Sequence, residues 1–407
     1  MDSLSQIALG AAVSVAVFRR KQPLWRSALL GAVVGTLPDL DVFLAYDDPI
    51  SDMTYHRTET HSLFYLTMVA PLLAWLYQRL SQTPNIFKTA WLAIWLVLVT
   101  HPLLDTLTIY GTQLALPFSD HPFGTGSVFV IDLLYTLPLL IGTGLVLAGR
   151  SLRWNSFGLL LSTSYLAFGL WAQQQVTTLA RQQLPTASAQ QLLVTATPFN
   201  TVLWRILVIE PEQYWEGYYS LLDASPKINW QVYPRGGTLL EQWQSQPQVA
   251  RLTWFSHGFV SLKPHDEHHL VLADLRMGME PAYSFSFLLP LPKTQSDAKL
   301  ETRNASAIAS TAPSSAMTVG NPATVQAHQI VQQEMPRDTR ALSWLYQRLL
   351  ARTELSLVEF LAKADAAADA RSIDTSSGDT SSSDTRSGNS SSANAPQAAK
   401  KPSPAKD

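Results

Sequence analysis

The sequence predicts a mainly α membrane bundle of about six transmembrane helices, followed by a small α+β, antiparallel-sheet extramembrane domain and a disordered tail. Three observations predict it. Apolar runs recur at roughly 4–18, 24–45, 62–80, 87–109, 128–148 and 155–171, several of them approaching the ~20 residues that cross a bilayer. Residues 172–293 change to short runs rich in β-branched and aromatic side chains, and residues after about 294 are almost entirely polar or small. At 407 residues the chain has room for two or three units.

Whole-chain averages conceal this division, with 46% hydrophobic residues, 15% charged and a formal charge of -2. The near-zero charge argues against nucleic acid as a partner. Cysteine is absent, which excludes disulfides and thiolate metal sites.

The first run is short and is followed by Arg19-Arg20-Lys21. It reads as a retained helix rather than a signal peptide, because Met1-Asp2-Ser3 is acidic and no small-residue cleavage site precedes the basic cluster. Basic residues then alternate between loops. Arg19, Arg20, Lys21 and Arg26 mark the first, Arg79 and Lys88 the third, and Arg150 and Arg153 the fifth. The second has Arg57 alone among Asp47, Asp48, Asp52 and Glu59, and the fourth, at about 110–127, has no Lys or Arg. The positive-inside rule places the odd loops in the cytoplasm and both termini on the outer side.

That orientation puts Asp39, Asp41, His56, His61, His101 and Asp105 at the same side of the bilayer, with Asp2, Gln6 and Asp132 nearby. His101 and Asp105 are four apart, so on a helix they could ligate one ion or act as a ligand and its orienting partner. Asp39 and Asp41 follow Pro38, where a frayed helix end could aim both at one ion; an ordinary interfacial terminus would look the same. His56 and His61 are five apart and converge only through a loop or a helix start near Thr60. Alone they read as a solvated loop. Arg57 suits an anionic substrate group and Glu59 a base, unless both are plain loop charges, and Asp132 could simply cap the fifth helix. Ionisable groups in membrane segments are costly and usually functional. Imidazole with carboxylate suits zinc, manganese or iron better than calcium or magnesium.

Several stretches carry a resemblance. Met1-Asp2-Ser3-Leu4-Ser5-Gln6 with Gly10, Gly31 to Gly35 leading into Leu37-Pro38-Asp39-Leu40-Asp41, and His56-Arg57-x-x-Thr60-His61-Ser62 resemble the YdjM-type metal-dependent hydrolases of bacterial inner membranes. His101-x-x-x-Asp105, Tyr110-Gly111-Thr112 and Pro117-Phe118-Ser119 continue the likeness, which covers roughly residues 1–171. The resemblance implies a metal site of Asp39, Asp41, His56, His61, His101 and Asp105. The chain departs from many members at Gln6, where they carry His, and at Thr58, where they carry Gly.

Beyond the bundle, Val202–Ile209, Leu252–Phe255, His269–Asp274 and Tyr283–Phe287 read as strands of an outer domain over 172–293, with a turn at Pro234-Arg235-Gly236-Gly237. Residues 172–193 read as a helix leaving the membrane. The cluster His265-Asp266-Glu267-His268-His269 reads better as a solvated hairpin turn than as a metal site, and Asp274 with Arg276 as a structural pair. Residues 294–337 read as a low-complexity linker. Residues 338–364 read as an amphipathic helix, with Leu342, Leu345, Tyr346, Leu349 and Leu350 on one stripe that docks on the domain in preference to the lipid surface. Residues 365–407 read as disordered.

The sequence thus points to a membrane-embedded hydrolase with zinc, or manganese or iron, at a periplasmic face. Its substrate would be a lipid or another amphiphilic phosphoester. A proton- or ion-coupled transporter using the same Asp and His groups is the competing class, though the inner helix halves offer few ionisable groups for a path. A non-catalytic membrane scaffold is a third.

Overall fold

The computed structural model describes residues 1–186, 189, 191–291, 329–334 and 338–377. The chain divides into two compact units, Met1–Glu359 and Phe360–Asp407. The apolar runs form helices α1 (Ser3–Phe18), α2 (Leu24–Thr36), α4 (Leu63–Ser81), α5 (Phe87–Asp105), α6 (Leu133–Leu147) and α7 (Arg153–Gln182), with a short α3 (Pro49–Tyr55) between α2 and α4.

The expectation of about six transmembrane helices is overturned. Among the described residues only α5 is both long and apolar enough to cross a bilayer. Helices α1, α2 and α6 hold 16, 13 and 15 residues, so at 1.5 Å per residue they reach only ~20–24 Å of a hydrocarbon core of ~30 Å. Apolar length in the sequence overstated helix length for identifiable reasons. Pro38 cuts the second run and starts a 3₁₀ turn over Pro38–Phe43, since a proline ring clashes with a continuing helix. Asp132 caps α6 and so delays its start to Leu133. Helices α4 and α7 are long enough, but they carry Gln78 and Arg79, and Gln173–Gln175 and Arg181.

Helix α1 lies at the centre of the bundle, against α2, α5, α6 and α7. Small residues make this possible. A methyl group on Gly10 or Gly31 would collide with the backbone carbonyl of the other, so α1 and α2 cross backbone to backbone, as small-residue helix pairs do. The apolar core of this half gathers Phe18, Val34, Ala70, Ala90, Ile94 and Leu98.

The β-rich part contains two antiparallel sheets. Strands β1 (Gln191–Ala196), β2 (Leu203–Ile209), β3 (Gln213–Ser220) and β4 (Asn229–Pro234) form the first in sequential order. After α8 (Gly237–Trp243) and α9 (Pro247–Phe255) come β5 (Val260–Pro264), β6 (His269–Asp274), a small β7–β8 hairpin (Gly278–Met279, Ala282–Tyr283), β9 (Ser286–Pro290) and β10 (Val331–Gln332). The second sheet runs β10-β9-β6-β5. Leu207, Ile209, Tyr214, Phe259, Ala273 and Leu275 form a core shared by the two sheets, and Arg205 crosses it, held by Glu216 at 2.6 Å and the Leu275 carbonyl at 2.7 Å.

Leu252–Phe255 is helical rather than a strand. Pro247 opens α9 at its first position, where proline favours helix initiation, and four apolar residues are too few to reveal which period they follow. His265–His269 forms the exposed β5–β6 turn, with His269 against Asp266. Asp274 and Arg276 pair at 2.7 Å. Within 294–337 only 329–334 lies among the described residues, and β10 there extends the second sheet. Helix α10 (Arg340–Leu349) docks through Trp344, Leu345 and Arg348, while Leu342 and Tyr346 of the expected stripe are exposed. Arg348 pairs with Asp223 and Trp344 packs edge-on against Tyr218. Helix α11 (Leu357–Ser377) runs past residue 364, and 378–407 lies outside the described residues.

Candidate metal centre

The helix ends that carry the polar residues meet. The 3₁₀ turn after α2 brings Asp39 and Asp41, a second 3₁₀ turn over Glu59–His61 brings His61, and the last turn of α5 brings His101 and Asp105. His61 Nε2 lies 3.2 Å from His101 Nε2, 3.3 Å from Asp39 Oδ1 and 3.3 Å from Asp105 Oδ2. His101 Nε2 lies 3.4 Å from Asp39 Oδ1 and 3.3 Å from Asp105 Oδ2. All four donor atoms fall within 4.8 Å of one another.

Hydrogen bonding on the far side of each ring assigns the tautomers. His101 Nδ1 lies 2.7 Å from the Gly35 carbonyl, which can only accept, so this nitrogen carries the proton. Thr60 donates its hydroxyl proton to Asp41 Oδ2 at 2.7 Å and is left to accept from His61 Nδ1 at 3.0 Å. Both Nε2 lone pairs therefore point at the carboxylates. Asp105 Oδ1 is taken by the Met1 amino group and by Gln6 Nε2 at 3.1 Å, while Asp105 Oδ2 is buried and has no hydrogen-bond partner.

These residues fit a metal ion. A tetrahedral ion with bonds of ~2.0–2.1 Å has ligand–ligand edges of ~3.3 Å, and five donor separations here span 3.2 to 3.4 Å. Protonating both imidazoles instead would set two like charges 3.2 Å apart. One cation serves all four donors.

Asp41 and His56 stand one layer outside these four donors. Asp41 accepts from Thr60 and from the Arg57 backbone N–H at 2.9 Å, and so steadies His61 from behind. His56 Nδ1 approaches Asp41 Oδ1 to 2.7 Å without the alignment a hydrogen bond needs. Burial raises the Asp41 carboxyl, and His56 and Thr60 more than offset this, leaving it lowered. Arg57 is buried with φ +66°, a left-handed conformation costly for a side-chain-bearing residue. Its N–H donates to Asp41 and its carbonyl accepts from Gln113, which hold it there. The guanidinium then lies over the Tyr110 ring at 4.9 Å, with Nη2 3.5 Å from Asp105 and with Nε and Nη1 making no hydrogen bond. Glu59 is exposed, two residues before His61 in the same turn.

Of the other polar residues expected near the site, Asp2 caps α1 and Asp132 caps α6 while accepting from the Tyr165 hydroxyl. Gln6 enters the site through Asp105 and the His101 carbonyl. Sequence reasoning missed the Gly35 carbonyl, the Thr60 hydroxyl and Tyr110. Thr60 has a local signal, as a hydroxyl beside a histidine in His-x-x-x-Thr-His. A backbone acceptor such as Gly35 leaves none beyond the small-residue spacing of Gly31 and Gly35.

The four donors and the groups that hydrogen-bond to them lie in the first 114 residues. Residues 1–176 match the model of the YdjM inner membrane protein family. No curated protein and no solved structure matches the chain. The YdjM region therefore contains the whole cluster, and the family it matches is named for an inner membrane protein. The β-rich part lies almost wholly beyond the match, yet it braces the YdjM region. Ile50 and Met53 of α3 enter the core built by Trp243, Leu252 and Phe255, and Tyr110, edge-on to His56, also meets Phe255 and Phe285.

Proposed function

We propose that this chain is a metal-dependent hydrolase of an anionic ester, a phosphoester in the first instance, working at the periplasmic face of the inner membrane. One observation carries the reading: four proton-free donor atoms converge beside a buried guanidinium in which two nitrogens make no hydrogen bond. Two imidazoles with two carboxylates favour zinc, then manganese or iron. When bound, such an ion makes water acidic towards a pKa of ~7 and polarises the ester.

The chain's own residues do the rest. His61 and His101 are locked in the ligating tautomer by Thr60 and Gly35, so the donor set needs no rearrangement. Arg57 offers Nη1 on one edge of its guanidinium and Nε on the other, each as a single donor to an anionic oxygen. Glu59 takes the proton lost by the attacking water, from an exposed position that can exchange it with solvent. For the side of the membrane, basic residues support the periplasm. Helix α5, the candidate span among the described residues, has Lys88 at its start and the site at its end; Arg19, Arg20, Lys21, Arg79, Arg150 and Arg153 lie at helix ends on the Lys88 side, and Lys21 reaches Thr89 in the first turn of α5 at 2.8 Å.

Phosphate release by the purified, zinc-loaded chain tests the reading, with phosphatidic acid and p-nitrophenyl phosphate as substrates. Release should require the metal. Glu59→Gln should lower kcat by about 10²-fold while leaving metal content unchanged, and Arg57→Lys should raise KM. A metal-loaded chain that releases phosphate from neither substrate overturns it.

A further inference from the structure

Three of the four ligating side chains are closed off from solvent, and Asp39 alone keeps an opening, at 19% exposure. The surface around Asp39 is apolar. Leu40, Val42, Phe43 and Leu44 of its own turn are exposed, Phe43 by 81%. Directly after the Glu59–His61 turn, the loop before Ser119 is tied to the start of α4 by Leu63 N–H to the Leu114 carbonyl and Ser62 to the Leu116 carbonyl. That loop presents Phe118, 80% exposed and stacked edge-on with Phe64.

Both exposed patches continue along helices as exposed apolar stripes. Trp25, Leu29 and Val33 recur every four residues on α2 and lead to the Asp39 turn. Phe64, Met68, Leu72, Trp75 and Leu76 do the same on α4, leading away from Phe118. On the Arg57 side of the site, Phe255 and Phe285 pack edge-on against Tyr110. An opening that is apolar at its rim and continuous with apolar helix faces in an inner-membrane family suits an occupant already in the bilayer.

We propose that the substrate of this site is a phospholipid that enters sideways from the membrane, its acyl chains between Phe43 and Phe118 and its phosphate at Arg57 and the metal cluster. This rests on the hydrolase reading for the chemistry of the headgroup, but its test does not need turnover. The chain has no cysteine, so single fluorophores can be placed through Phe43→Cys, Phe118→Cys and, as a mid-helix reference, Leu72→Cys. The full chain, zinc-loaded or metal-stripped, is reconstituted in phosphatidylcholine vesicles with a small fraction of chain-brominated phosphatidic acid. The expected result is severalfold stronger quenching at 43 and 118 than at 72, lost on metal removal and absent with chain-brominated phosphatidylcholine at the same fraction. Equal quenching at the three positions, or quenching indifferent to metal and headgroup, overturns the proposal. Metal-dependent enrichment without phosphate release supports this route and counts against hydrolysis alone.

Discussion

His61 and His101 gain their direction from what lies behind them. The Gly35 carbonyl and the Thr60 hydroxyl hold each Nδ1 proton, which leaves each Nε2 bare and aimed at Asp39 and Asp105. Thr60→Val removes one of these acceptors and should weaken zinc affinity by about 10–100-fold, the usual cost of losing an orienting partner. Asp41→Asn should cost less, since the amide oxygen can still accept from Thr60. Competition against a chromophoric chelator measures both. Acidification should release the ion as well, because protons compete for the same Nε2 lone pairs. Sequence spacing could show that His101 and Asp105 share a helix face. It cannot show which oxygen of Asp41 is engaged by Thr60 and the Arg57 backbone, so spacing alone does not separate Asp41 and His56 from the four residues beside them.

Two contacts between elements bring the donors to one place. The glycine crossing of α1 and α2 sets Gly35 beside α5, where its carbonyl meets His101. Gly31→Val should destabilise the fold by about 1–3 kcal/mol or more through overpacking and lower metal affinity with it. Gly144→Ala, which meets open space, should do neither; thermal unfolding separates the two. The second contact is α3, whose Ile50 and Met53 enter the β-rich core. Met53→Ala should cost about 2–5 kcal/mol, and because α3 ends at Tyr55, beside His56 and Arg57, it should also loosen the metal. Helices were legible as elements because their apolar runs are long. Their ends were not, since Pro38 and Asp132 act through local clashes and caps that an apolar count ignores.

At the scale of the molecule, the helices place basic residues at one end and the cluster at the other. Six apolar runs were read as six spans because composition reports apolarity but not helix length or where an apolar face ends up. Much of it covers other helices, as in Ala8, Ala12 and Ala90, and the exposed remainder forms stripes rather than complete cylinders. The β-rich part was legible as strands, but its hold on α3 and Tyr110 depends on contacts between distant residues with no local signature. Metal bound only by the folded chain should raise its stability by about 2.7 kcal/mol when free zinc is a hundredfold above Kd.

The most direct measurement is the metal content of the purified chain beside the His61→Ala/His101→Ala double variant, with Asp132→Asn, a helix cap outside the cluster, as control. A stoichiometric divalent ion in the unaltered chain and in Asp132→Asn, lost from the folded double variant, is the predicted result. Equal, negligible metal in all three after loading with zinc, manganese or iron would contradict it.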